Sequence, residues 1–170
     1  MKLTDLEKQE LEEIYQRFYN DEKIQRMKDI PMHRGSNCFL HSFRVVKLSI
    51  KNALRHKDVN LKNILIAAIL HDYYLYDWRT DGSKKKHHAS KHPQIAIENA
   101  ERDFGVGEEV KAIIESHMWP INIKIFPKTT EARIVDLADT VVATKEALTS
   151  IKYKSKRMDK YYTSISKLFD

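Results

Sequence analysis

The chain has 170 residues, 42% of them hydrophobic, with only four glycines and four prolines; that suits one compact helical domain and leaves too few turn formers for an all-β fold. A formal net charge of +6 favours anionic partners. The lone Cys38 excludes an internal disulfide, the longest purely apolar run (Ile64 to Leu70) falls far short of the roughly 18 residues of a membrane span, and "MKLTDLEKQE" has no basic-plus-apolar leader, so a cytoplasmic protein without a membrane segment is expected.

In chain order the pattern is helix after helix. Thr4 with Glu7 forms a capping box, and Leu3, Leu6, Leu11, Ile14 and Phe18 follow at helical spacing, which predicts a first helix to about Lys28. "IPMHRGSN" reads as a loop. A second helix is predicted from about Asn37 to His56 and a third from Asn60 to about Tyr73, followed by a polar loop over Asp77 to Lys91. Pro93 fits the first turn of a fourth helix that ends near Phe104-Gly105, and Glu108 to about His117 makes a fifth. "WPINIKIFPKTT" is irregular; a long sixth helix starts near Thr130 and passes Leu148, and Met158, Tyr161, Ile165 and Leu168 suggest a last amphipathic one. The expectation is an all-α domain of six or seven helices spanning the chain, with its core over about 36–148 and a basic helical extension over 150–170.

Several polar residues fall on the apolar faces of these helices. His41 shares a face with Val45 and Leu48, His117 follows Ile113 and Ile114, and Asp139 shares a face with Val135, Val142 and Ala143. His71 and Asp72 close the apolar run that begins at Ile64. Taken singly, each has a plain structural explanation. A histidine on an apolar face is more often a hydrogen-bonded core residue than a ligand, and Asp136, three residues after Arg133, reads as half of an exposed ion pair. Together they ask for more, because each needs its own buried partner. One shared divalent cation would satisfy His41, His71, Asp72 and Asp139 at once, since neutral imidazole and carboxylate are its ligand types.

The order of these residues, His41, then "HD" at His71-Asp72, then Asp139 in "IVDLADTVVATKE", resembles the HD superfamily of metal-dependent phosphohydrolases over about Ser36 to Leu148. "HDYYLYDW", "HMWP" and "EARIV" are similar to segments of small stand-alone bacterial HD proteins. The resemblance implies one or two divalent ions, with Mn or Fe favoured over Mg, Co, Ni or Zn. It nominates His92 in "KHPQIA" and His117 in "ESHMWP" for a second ion, with Asp72 bridging both. It also implies a metal-bound hydroxide attacking a phosphate ester of a nucleotide or another small phosphorylated metabolite. Arg79 would clamp the phosphoryl oxygens with Lys84 to Lys86 behind it and His88 on the same basic rim, while Asp77 would give a proton to the leaving group. The HxxxH spacing of His88 and His92 suggests a helical zinc site, but Pro93 disfavours a helical conformation for His92, which is expected at the helix start instead.

Leu75 stands where some members of the superfamily carry a charged catalytic residue, Thr140 where a lysine is commoner, and no Gly-Tyr-Pro signature of the cyclic dinucleotide branch is present. Two rival readings follow from the residues. A metal-stabilised regulatory or scaffold domain would keep the ions without turnover. A nucleic-acid-binding module would use the net charge and the tail residues Tyr153, Lys154, Lys156, Arg157, Tyr161 and Tyr162, and it is the least favoured because the chain matches no nucleic-acid motif.

Overall fold

A computed structural model describes residues 2–32, 36–77, 80, 88–148 and 163–169, with the backbone alone at residues 88 and 89. Among the described residues there are seven α-helices and no strand: α1 (Asp5–Tyr19), α2 (Glu22–Gln25), α3 (Cys38–Ala53), α4 (Leu61–Leu70), α5 (His88–Phe104), α6 (Glu108–Ser116) and α7 (Thr130–Leu148). The helix starts follow local chemistry. Thr4 Oγ1 accepts the Glu7 amide while Glu7 returns a bond to the Thr4 amide, Asn37 accepts from Leu40, and Asn60 accepts from Lys62 and Asn63.

The first helix does not run to Lys28. It ends at Tyr19, because the Asp21 carboxylate takes the amides of Lys23 and Ile24 and starts a new short helix that tightens into a 3₁₀ turn over Arg26–Asp29. The third predicted helix also stops early, at Leu70, where His71 to Tyr74 form a turn closed by Leu75 at φ 55°. A left-handed leucine costs on the order of 1–2 kcal/mol, so the surrounding packing has to hold it. The expected C-terminal amphipathic helix appears in its described part as a 3₁₀ turn, Ser166–Leu168, anchored by buried Ile165. Residues 149–162, with Met158, Tyr161 and the other tail residues named above, lie outside the described residues.

α3 and α4 form the centre, with α7 laid along α3 and with α1, α6 and α7 around α4. α4 is apolar on nearly every face, as a helix enclosed by others must be. An aromatic cluster on one side of α3 joins Tyr15 and Tyr19 of α1 to Phe39 and Phe43, whose centroids lie 4.4–6.0 Å apart, and fixes α1 against it. The other side of α3, together with the C-terminal end of α4, faces α7 and carries the buried polar residues. Among the described residues no helix is long and apolar enough to cross a membrane.

Candidate metal centre

His41 lies in the first turn of α3, His71 and Asp72 at the C-terminal end of α4, His92 in α5, His117 at the C-cap of α6, and Asp139 in the middle of α7. Five helices thus deliver six side chains to one point, and all six residues are at most 9% exposed. Asp72 sits between two sets of imidazoles. Its Oδ2 lies 3.4 Å from His71 Nε2 and 3.7 Å from His41 Nε2, while its Oδ1 lies 3.2 Å from His92 Nε2 and 3.8 Å from His117 Nε2. Asp139 Oδ1 closes the first set, 2.8 Å from His41 Nε2 and 3.7 Å from His71 Nε2. Among the described residues, three overlapping groups could each hold a metal ion: His41, His71 and Asp72; His71, His117 and Asp139; Asp72, His92 and His117.

The helix ends set the imidazole tautomers. His71 Nδ1–H donates to the Ala68 carbonyl at 2.9 Å and His117 Nδ1–H to the Ile114 carbonyl at 2.6 Å, which turns both Nε2 lone pairs inward. Burial, with the neighbouring His92 and His71, lowers the His117 pKa to about 3 and keeps that ring neutral, as a ligand must be. The His117 and His92 Nε2 atoms are only 2.8 Å apart, so their lone-pair positions converge on one small volume.

The electrostatics ask for positive charge. Burial opposes a charge on His41, but its bonds to Asp139 and Glu146 outweigh that and raise its pKa to about 9. Burial also opposes a charge on His71, yet the adjacent Asp72 and Asp139 raise its pKa well above the usual value. Among the described residues His71 Nε2 nevertheless has no hydrogen-bond partner, and it is fully buried. A proton there has no acceptor in line, whereas a cation in front of the bare lone pair meets the same demand. Asp72 and Asp139 are held well below the usual carboxylate range, against the cost of burial, by His71 and His92 in one case and by His41 and His71 in the other. Anionic carboxylates and neutral nitrogens around an orphaned lone pair fit a divalent metal of the borderline class.

Behind His41 stands a residue that the sequence reading missed. Glu146 is 4% exposed; its Oε2 accepts from His41 Nδ1 at 3.1 Å, and its Oε1 accepts from Ser36 Oγ at 3.3 Å and from Arg44 Nη1. A signal was present in the spacing, since Glu146 follows Asp139 by seven and Val142 by four and so shares their face.

Asp136 is a correction. It does not pair with Arg133, whose Nε donates to the Pro127 carbonyl at 3.1 Å and whose guanidinium lies over the Phe126 ring. Asp136 is buried at 7% exposure, and its Oδ1 has no hydrogen-bond partner among the described residues. Burial and the nearby Asp139 raise its pKa to about 7. The sign follows: the folded state holds a proton that the unfolded state releases near pH 4, so stability falls as pH rises between those values. Asp136→Asn is therefore expected to raise the melting temperature at about pH 8, to raise it clearly less at about pH 5, and to change it little near pH 4. An equal shift at all three would show that Asp136 does not titrate in that window.

His92 also differs in placement. α5 begins at His88, so both histidines of the HxxxH spacing lie on helical backbone, with Pro93 inside the helix. Proline near a helix start forfeits only one amide bond, and the contacts of His92 with Asp72 and His117 override the local preference. Asp77 is half-buried beyond the turn that follows Asp72, and its carbonyl accepts from the Thr80 amide. Arg79 and Lys84 to Lys86 lie outside the described residues, as does the side chain of His88.

No curated protein and no solved structure matches the chain. Residues 38–144, a span that begins just before His41 and ends just beyond Asp139, match the HD domain family; they make up more than half of the chain, and the protein belongs to that family.

Proposed function

We propose that the protein is a metal-dependent phosphohydrolase acting on a phosphate ester of a nucleotide or another small phosphorylated metabolite. The observation that carries this reading is the divided carboxylate of Asp72, with one oxygen toward His41 and His71 and the other toward His92 and His117. His41, His71, Asp139 and Asp72 would hold one divalent ion, and Asp72, His92 and His117 a second, with Mn or Fe as the favoured metals. Bound there, such ions supply charge that offsets the phosphoryl oxygens and brings the pKa of water down to about 7.

The rest is the work of the chain itself. The carbonyls of Ala68 and Ile114 lock the His71 and His117 rings by their Nδ1 protons, so no reorientation is needed when a ligand arrives. Tyr74 lies edge-on to His92, with centroids 5.6 Å apart, and walls that side of the centre against water. Asp77, five residues beyond Asp72, is assigned the proton for the leaving oxygen. Arg79, Lys84, Lys86 and His88 are assigned the phosphoryl oxygens, the first three as cations and His88 as a ring N–H donor.

Elemental analysis of freshly purified protein, followed by a screen of nucleotides and phosphomonoesters with each divalent metal, tests the proposal. Bound metal with metal-dependent release of phosphate supports it. Bound metal with no turnover of any ester would instead identify a regulatory or scaffold domain.

A further inference from the structure

The residue after Asp72 is gripped by α5 at both of its ends. α4 stops at Leu70, so the carbonyls at and beyond its end need partners from elsewhere. Asn99 Nδ2 donates to the Tyr73 carbonyl at 3.0 Å, and one turn further along α5 Asp103 Oδ2 accepts from the Tyr73 hydroxyl at 2.9 Å. Arg102 orients this pair. Its Nη1 donates to Asn99 Oδ1 at 2.8 Å, and its Nε and Nη2 donate to the two oxygens of Asp103 at 3.1 and 2.8 Å. With its oxygen engaged by Arg102, the Asn99 amide turns its N–H groups to Tyr73. Lys23 of α2 adds a bond to Asp103 Oδ1 at 3.1 Å, and the buried Tyr73 ring packs on Phe104 with centroids 5.5 Å apart. Asn99 follows His92 by seven residues and so shares its stripe of α5, with buried Ala96 between them. α4 is enclosed by α1, α3, α6 and α7, whereas α5 rests on α4 and α6. Loosening this brace therefore moves α5 rather than α4. Seven helical residues span only about 10 Å, and a shift at Asn99 reaches His92, whose Nε2 lies 3.2 Å from Asp72 Oδ1.

We infer that Asn99 and Asp103 are positioning residues for the second ion. By holding Tyr73 at its carbonyl and its hydroxyl they fix the register of α5 on the turn after α4, and with it the reach of His92 to Asp72 and His117. They do not serve the first ion, whose ligands come from α3, α4 and α7. The inference rests on the two-ion division proposed above and adds to it the residues that hold one half of the centre in place.

The test is metal uptake by the full-length protein dialysed against graded concentrations of free Mn²⁺, with bound Mn counted per chain. The wild type is expected to fill in two steps. Asn99→Leu, close in size but without the donor, is expected to move the second step to roughly 10–100-fold higher free Mn²⁺, the range for loss of a residue that orients a metal ligand. The first step is expected to stay where it is. If Asn99→Leu fails to fold, Tyr73→Phe, which removes only the bond to Asp103, carries the same prediction with a smaller shift. A second step that does not move overturns the inference. So do two steps that move together, as general loosening of the fold would make them; both results leave the two-ion division intact. A single step in the wild type removes that division itself, and the inference with it.

Discussion

Asp72→Ala is expected to leave the protein with little bound metal and to lower phosphate release on the order of 10³-fold or more. The substitution removes both oxygens that face the two sets of imidazoles, so neither half of the centre survives it. It also leaves His71 and His92 without their central counter-charge, and loss of one partner from a buried charged cluster costs about 3–5 kcal/mol. Metal analysis, denaturant unfolding and rate measurement on the same preparation separate these effects. Asp77→Asn is the companion variant, with metal content retained and rate reduced. Full metal occupancy in Asp72→Ala would remove the bridging role, and the proposed division of ligands with it.

Glu146→Ala is expected to be nearly as damaging, although Glu146 is not itself assigned to a metal. It removes the carboxylate that accepts from the His41 Nδ1–H and takes one partner from Arg44, which keeps its bond to Ser36 Oγ; loss of a buried ionic partner costs about 3–5 kcal/mol of stability. The His41 ring then loses its orienting acceptor, and removing such a partner weakens metal binding roughly 10–100-fold. Glu146→Gln keeps an acceptor for His41 and should recover much of the affinity while losing the charge that Arg44 requires. Competition with a metal-sensitive indicator reads the affinity. An alanine variant that unfolds more easily but binds metal as tightly as wild type would reduce Glu146 to a structural role.

Much of the fold was legible because the helix starts are written in side chains: Thr4 with Glu7, Asn37 and Asn60 each sit where a capping oxygen is needed. His41, His71, Asp72, His117 and Asp139 were legible for a related reason, since polar groups on strongly apolar faces have few satisfactory fates; His92 came only from the family resemblance. What failed was the width of the buried face on α7. That helix packs against α3, α4 and α6, so its enclosed surface takes in Asp136 and Glu146 as well as the narrower stripe through Val135, Asp139 and Val142. Pairing Asp136 with Arg133 by spacing alone could not anticipate that Pro127 and Phe126 would claim the arginine. The break at Asn20 failed for a local reason, because an aspartate that can cap its own downstream amides competes with a continuing helix. Leu75, noted in the sequence as an unexpected residue type, proved to matter as backbone, since it closes the turn that presents His71 and Asp72.

The thiol of Cys38 is buried in the first turn of α3, and its sulfur lies 3.1 Å from the backbone carbonyl of Asp72. Burial and the Asp72 charge raise its pKa well above the ordinary value, so the reactive thiolate is suppressed while α3 and the end of α4 remain clasped. A thiol-specific dye would therefore work as a built-in stopwatch for the parting of these two helices, timing excursions that break the centre open without any engineered label.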